Sequence, residues 1–127
     1  MPELADLAAR IALFLKSNEW GSKSYKTQLN GLIEFFNVIS NREDWKEVLI
    51  SWIARQMGRK ALPRGRTMNV WIDFIQNNDK KAVQELFALT KIIYEAIEPQ
   101  RIRINYRDEN SFNFQYFLNK FKESLGR

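Results

Sequence analysis

Along this chain apolar residues return at three- and four-residue steps in one segment after another, each closed by a short polar break, and that period confines the fold to packed helices. Residues 3–18 put Leu4, Leu7, Ala8, Ile11, Phe14 and Leu15 on one stripe, with Pro2 and Glu3 suited to a first turn. Gly21 and the Ser and Asn residues around it predict a loop over 18–24. A second helix then carries Leu29, Leu32, Ile33, Phe36 and Ile39, with Ser24 as its N-cap. Ser40 and Asn41 break the pattern, and Asn41 followed by Asp44 resembles a capping arrangement. The third helix bears Trp45, Val48, Leu49, Trp52, Ile53 and Met57 on one face. It should end at Gly58 or shortly before Pro63, because proline cannot continue a helix and biases Leu62 away from helical angles.

Met68 to Gln76 is so uniformly apolar that period alone does not separate helix from strand; its helical neighbours favour a short buried helix. Asp79 is placed to cap a helix over 80–98 with Val83, Leu86, Phe87, Thr90, Ile93 and Ile97, closed by Pro99. Ile102, Ile104 and Tyr106 then alternate with Arg101, Arg103, Asn105 and Arg107, which is the signature of a strand. A lone strand needs a partner, so the segment is either an extended linker laid across the bundle or an edge that pairs with another chain. Residues 111–125 return to helix with Phe114, Phe117, Leu118, Phe121 and Leu125, and Gly126 lies past the end. The expected fold is all-α: a compact bundle of five to six helices with one extended segment near residues 101–107. At 127 residues and 45% hydrophobic content the chain can bury a core as a single domain, with that core in 3–98 and a tail over 99–125.

Charge is distributed unevenly along this frame. The chain carries 20 Lys and Arg against 15 Asp and Glu, a formal charge of +5. Residues 48–72 hold Arg55, Arg59, Lys60, Arg64 and Arg66 and no acid, while the remainder balances at 15 basic and 15 acidic groups. All the excess therefore falls on the end of the third helix and the loop after it. Four of these five cations are Arg, whose planar fork matches phosphate oxygens. Arg55 and Arg59 stand four apart on one helix side, and Arg64 and Arg66 continue from the loop. Such contacts hold a nucleic-acid backbone without reading its sequence, and neutralising about five phosphates gives a log-affinity slope against log salt of roughly −3 to −4.5. A solubilising basic loop is the plainer reading of the same residues.

His and Cys are both absent from the chain. It therefore has no imidazole base, no thiol nucleophile, no Cys/His zinc site and no disulfide. Glu43, Asp44 and Glu47 form the densest carboxylate group, and Glu43 with Glu47 on one helix face could hold Mg²⁺, but acids in a first turn more simply stabilise the helix against its dipole. Neither a Walker loop nor a Gly-x-Gly-x-x-Gly fingerprint occurs. No catalytic residue, metal or cofactor is expected. The acidic N-terminal residues and the lack of a long apolar run fit neither a secretory signal nor a membrane span, so a cytoplasmic protein without membrane association is expected. Most aromatics, among them Trp45, Trp52, Phe36, Phe87 and Phe117, fall on apolar faces and should pack the core. Trp20 and Tyr106 lie outside those stripes, and with Arg101 and Arg103 they are candidates for partner contact.

Thr27-Gln-Leu29 leading to Leu32, Ile33 and Phe36, the helix end Ala54-Arg-Gln-Met-Gly58-Arg59, and Leu86-Phe87 followed by Ile92-Ile93-Tyr94 resemble the small subunit of type III CRISPR RNA-guided effector complexes, in its Csm-type branch. The resemblance covers about residues 24–97; the segment Pro63-Arg-Gly-Arg66 and residues 99–127 depart from it. It implies a non-catalytic helical bundle, serving antiviral defence, that stacks along the filament of a ribonucleoprotein. A basic face would line the channel for guide RNA and target, with Arg59 at the matching position. The expected partners are RNA and other protein subunits, including copies of itself. Two other classes stay open: a helical adaptor that binds protein alone through Ile102–Tyr106 and the tail helix, and a metal-dependent nuclease built on Glu43 and Glu47.

Overall fold

The computed structural model describes residues 2–20, 23–97 and 102–126, and in them the periodic stripes become α1 (Pro2–Ser17), α2 (Lys26–Ile39), α3 (Trp45–Gly58), α4 (Arg66–Asn77), α5 (Lys80–Ile97), a 3-10 helix (Tyr106–Ser111) and α6 (Phe114–Leu125). The chain is all-helical, with no strand among the described residues. The ambiguous window around Met68 is helical, and its Met68, Trp71 and Ile75 are buried at the period of α4.

The centre of the bundle is α1, which packs against α4, α5, α6 and the 3-10 helix. Ala8, Ala9, Ile11, Ala12, Leu13, Phe14 and Leu15 are all buried. The expected single stripe is therefore too narrow: the second half of α1 is enclosed on every side, as the unbroken run from Ile11 to Leu15 requires of a helix with neighbours all round. Around it, edge-to-face rings link four helices. Phe36 of α2 meets Trp45 of α3 at 5.8 Å and Phe87 of α5 at 5.6 Å, and Trp71 of α4 meets Phe87 at 5.9 Å. Pairs of this geometry contribute about 0.5–1.5 kcal/mol each beyond the area they bury. Trp52 and Phe117 are only half-buried; Trp52 lies stacked on Phe35 at 5.6 Å.

Caps follow the expectation in some places and depart in others. Asp79 accepts from the Ala82 N–H at 2.9 Å, as its position before α5 predicts. Tyr25 is the boundary residue of α2 and makes no side-chain cap bond, but the Ser24 hydroxyl accepts from the Lys26 N–H at 3.2 Å, the capping contact expected of it, and also lies 3.2 Å from the Tyr94 hydroxyl. Asp44 precedes α3 but makes no cap bond, because its carboxylate is engaged by Arg42 at 2.8 and 3.0 Å.

The alternation over 101–107 has a different cause from strand pairing. Ile102 is buried and Ile104 half-buried against the bundle, while Arg103 and Asn105 face out. Residues 102–105 are thus a linker with one side on the core, and Tyr106 and Arg107 already belong to the 3-10 helix. Arg101 lies outside the described residues. The tail is fastened by polar bonds to the helices before it. The Phe114 N–H donates to Asp6 at 3.1 Å, and Thr67, fully buried, donates to Glu109 at 2.9 Å while accepting from Arg10 at 3.1 Å.

Candidate nucleic-acid interface

The five cations of residues 48–72 hang on one helix end whose geometry is set by backbone hydrogen bonds. The N–H of Lys60 donates to Met57 at 3.0 Å, and that of Ala61 donates to Gln56 at 2.8 Å. With Arg59 as C-cap, these are the two bonds of a Schellman motif, and Lys60 holds the left-handed position at φ 63°. The helix ends at Gly58, one of the two stops the sequence predicts. The left-handed position after it, which glycine usually takes, falls to Lys60, a conformation that costs an L-residue about 1–2 kcal/mol.

Beyond this turn Leu62 is buried and ties the loop to the core, and the chain reaches α4 through Gly65. A side chain at Gly65 would collide with the buried ring of Phe14, whose Cζ lies 2.8 Å from the place of an added Cβ. Glycine is required here by contact with α1. The loop is therefore anchored at both ends, and all five cations are exposed: Arg55 on the last turn of α3, Arg59, Lys60 and Arg64 on the turn and loop, and Arg66 at the first position of α4. None of the ion pairs found among the described residues uses any of the five. Arg55 and Arg59 also face the negative end of the α3 dipole, worth about 0.3–1 kcal/mol each, which accounts for their place on the helix but not for the cations that follow.

A second segment meets this turn. The ammonium of Lys23 donates to the main-chain carbonyl of Lys60 at 3.1 Å, and the Lys23 N–H donates to the carbonyl of Trp20 at 3.1 Å. One lysine thus bridges Trp20 and Lys60. Next to Trp20, Glu19 accepts from the Tyr94 hydroxyl and from Lys16, and the Tyr94 oxygen accepts from the Tyr25 N–H at 2.7 Å. Burial, and then the hydrogen bond to Glu19, push the Tyr94 hydroxyl pKa well above the ordinary tyrosine range. Trp20 itself is 78% exposed, whereas Trp71 and Trp45 are buried.

The other candidate positions separate. Tyr106 is exposed at the start of the 3-10 helix with the Arg107 guanidinium 5.9 Å from its ring, and Arg103 is exposed on the linker before it. Glu43 lies in the turn before α3, so it does not share a helix face with Glu47 as expected. The Asp44 carboxyl is held below its usual range by the hydrogen bonds from Arg42. Among the described residues no three carboxylates gather at metal-binding distance.

Two features were not anticipated. A cleft of about 320 Å³ opens between α1, α4 and α5, with Leu4, Leu7, Val70 and Phe74 on its walls and Glu3 and Glu85 as its charged groups, a sign opposed to anion binding. A shallow depression beside Trp45 gathers Lys46, Lys80 and Lys81. Lys80 and Lys81 stand in the first turn of α5, where the dipole disfavours cations, and that broken local rule was the signal for it. No helix among the described residues is long and apolar enough to cross a membrane. No family model, curated protein or solved structure matches the chain.

Proposed function

We propose that this chain is a non-catalytic helical subunit that binds the phosphate backbone of nucleic acid through Arg55, Arg59, Lys60, Arg64 and Arg66, within a larger ribonucleoprotein. The observation that carries the reading is the set of five exposed cations with no ion-pair partner among the described residues, held on and beside a turn and loop pinned to the core at Leu62 and Gly65. Arginines held in this way lose little freedom on meeting phosphates, and a stretch free of carboxylates gives them no competing internal partner. The resemblance to the small subunit of Csm-type CRISPR effector complexes suggests the assembly: a cytoplasmic ribonucleoprotein of antiviral defence, with guide or target RNA on the basic face and copies of the subunit stacked beside one another.

The adaptor reading loses its edge strand, since Ile102 and Ile104 are turned to the bundle. Size-exclusion chromatography with and without RNA tests the proposal. The wild-type chain should elute earlier with RNA, and a variant with Arg59→Ala and Arg64→Ala should shift much less at moderate salt. An unshifted wild-type chain at low salt would overturn the reading in favour of a protein-only adaptor.

A further inference from the structure

We infer that the nucleic acid held at this face is single-stranded, and that one of its unpaired bases stacks on the indole of Trp20. The inference rests on the phosphate-binding reading above and deepens it. It is carried by the bridge through Lys23, which bonds the Trp20 carbonyl with its N–H and the Lys60 carbonyl with its ammonium, each at 3.1 Å. The main chain of Trp20, whose indole is 78% exposed, therefore stands within one lysine side chain of the left-handed turn that carries Arg59 and Lys60.

An indole is costly to leave in water, and a tryptophan that is 78% exposed contributes little to the core. The residue before it, Glu19, is held by the Tyr94 hydroxyl and Lys16, and Tyr25 is buried with its N–H on the same Tyr94 oxygen. These bonds hold the residue before Trp20, and the Lys23 N–H holds its carbonyl, while its ring is left to solvent, which lowers the ordering cost of a stacking partner. A base presents a π-face of matching size, and the phosphates on either side of it fall to the neighbouring cations. Alternating stacking and phosphate contact is how single strands are held without sequence preference. A duplex offers phosphates but keeps its bases stacked on each other, and gives Trp20 nothing to cover.

Fluorescence anisotropy of labelled strands of about 12 nucleotides and mixed sequence, as RNA and as DNA, and of the corresponding duplexes, tests this. Trp20→Ala should weaken single-strand binding by about 5- to 150-fold, the factor one stacked base carries, leave duplex binding within about twofold, and be largely rescued by Trp20→Phe. The thermal unfolding midpoint of Trp20→Ala should match wild type, since the ring is exposed. Comparison of the RNA and DNA arms identifies the strand. Equal losses on single strand and duplex, or no loss while Arg59→Ala with Arg64→Ala still weakens binding, would overturn the stacking inference and leave the phosphate reading standing. Failure of the wild-type chain to bind either form at low salt would remove both.

Discussion

The Lys23 ammonium and the Lys60 carbonyl are hydrogen-bonded at 3.1 Å across 37 residues of sequence, and this bond joins the loop after α1 to the basic end of α3. It brings the main chain of Trp20, a residue with an exposed ring, to the turn that carries exposed cations, a juxtaposition that neither segment specifies alone. Lys23→Met keeps the aliphatic stem and removes the donor. Because the bond is exposed, stability should change by less than about 0.5 kcal/mol. The effect should appear as coupling: in a double-mutant cycle read by single-strand affinity, Lys23→Met and Trp20→Ala should interact by about 0.5 kcal/mol or more. Strict additivity would mean that the bond does not position the indole.

Lys60 is a lysine where the backbone favours glycine. Lys60→Gly relieves the left-handed conformation and should raise stability by about 1 kcal/mol, seen as a higher denaturant midpoint. The same change removes one cation from the interface and should flatten the salt slope of binding by about 0.7–0.9. Stability and affinity should move in opposite directions, which is the pattern of a residue retained for binding.

Gly65→Ala should act in the other sense. The added methyl would meet the buried Phe14 ring at 2.8 Å, and overpacking of this kind costs about 1–3 kcal/mol. Combining it with Phe14→Leu should recover part of the loss, measured by thermal unfolding of the two single variants and the double.

Much of the bundle is legible in the sequence because packing alone dictates it. The periods of α2, α3 and α5 follow from residues such as Leu32, Leu49 and Leu86, each needing a core on one side. What the pattern missed has physical reasons. Ala9, Ala12 and Leu13 look like the solvent side of an amphipathic helix until α4, α5 and α6 are known to surround α1. Residues 102–105 alternate because one side of a linker lies on the bundle, and alternation does not distinguish that from strand pairing. The basic cluster was visible as a charge count, but its junction with Trp20 depends on a side chain reaching a main-chain carbonyl, for which the sequence has no pattern.

Two buried or half-buried tyrosines predict loss of stability in alkali. The Tyr116 hydroxyl is pushed up to about 12 by burial and its bond to Asp108, and that of Tyr94 is raised by burial and its bond to Glu19. In the unfolded chain tyrosine ionises near about 10. Their stabilisation is therefore complete below about pH 10 and falls as pH rises toward 12, where the unfolded state has lost protons that the native state still holds. Denaturant unfolding across that range should show a steeper decline for wild type than for a Tyr94→Phe, Tyr116→Phe variant. Parallel declines would mean that neither hydroxyl is protected in the folded protein.

Thr90 is fully buried in α5 and its hydroxyl has no hydrogen-bond partner among the described residues. Thr90→Val keeps the shape and removes an unsatisfied polar atom, so the variant should be more stable by about 1 kcal/mol in denaturant unfolding.

The salt dependence of nucleic-acid affinity tests the central claim most directly, because it counts the phosphates neutralised. Wild-type protein should give a log–log slope of roughly −3 to −4.5, and replacing Arg55, Arg59 and Arg64 with Ala should bring it to about −2 or shallower. A slope near zero in the wild type, or one unchanged by the triple substitution, would contradict the assignment of this helix end and loop as the binding face.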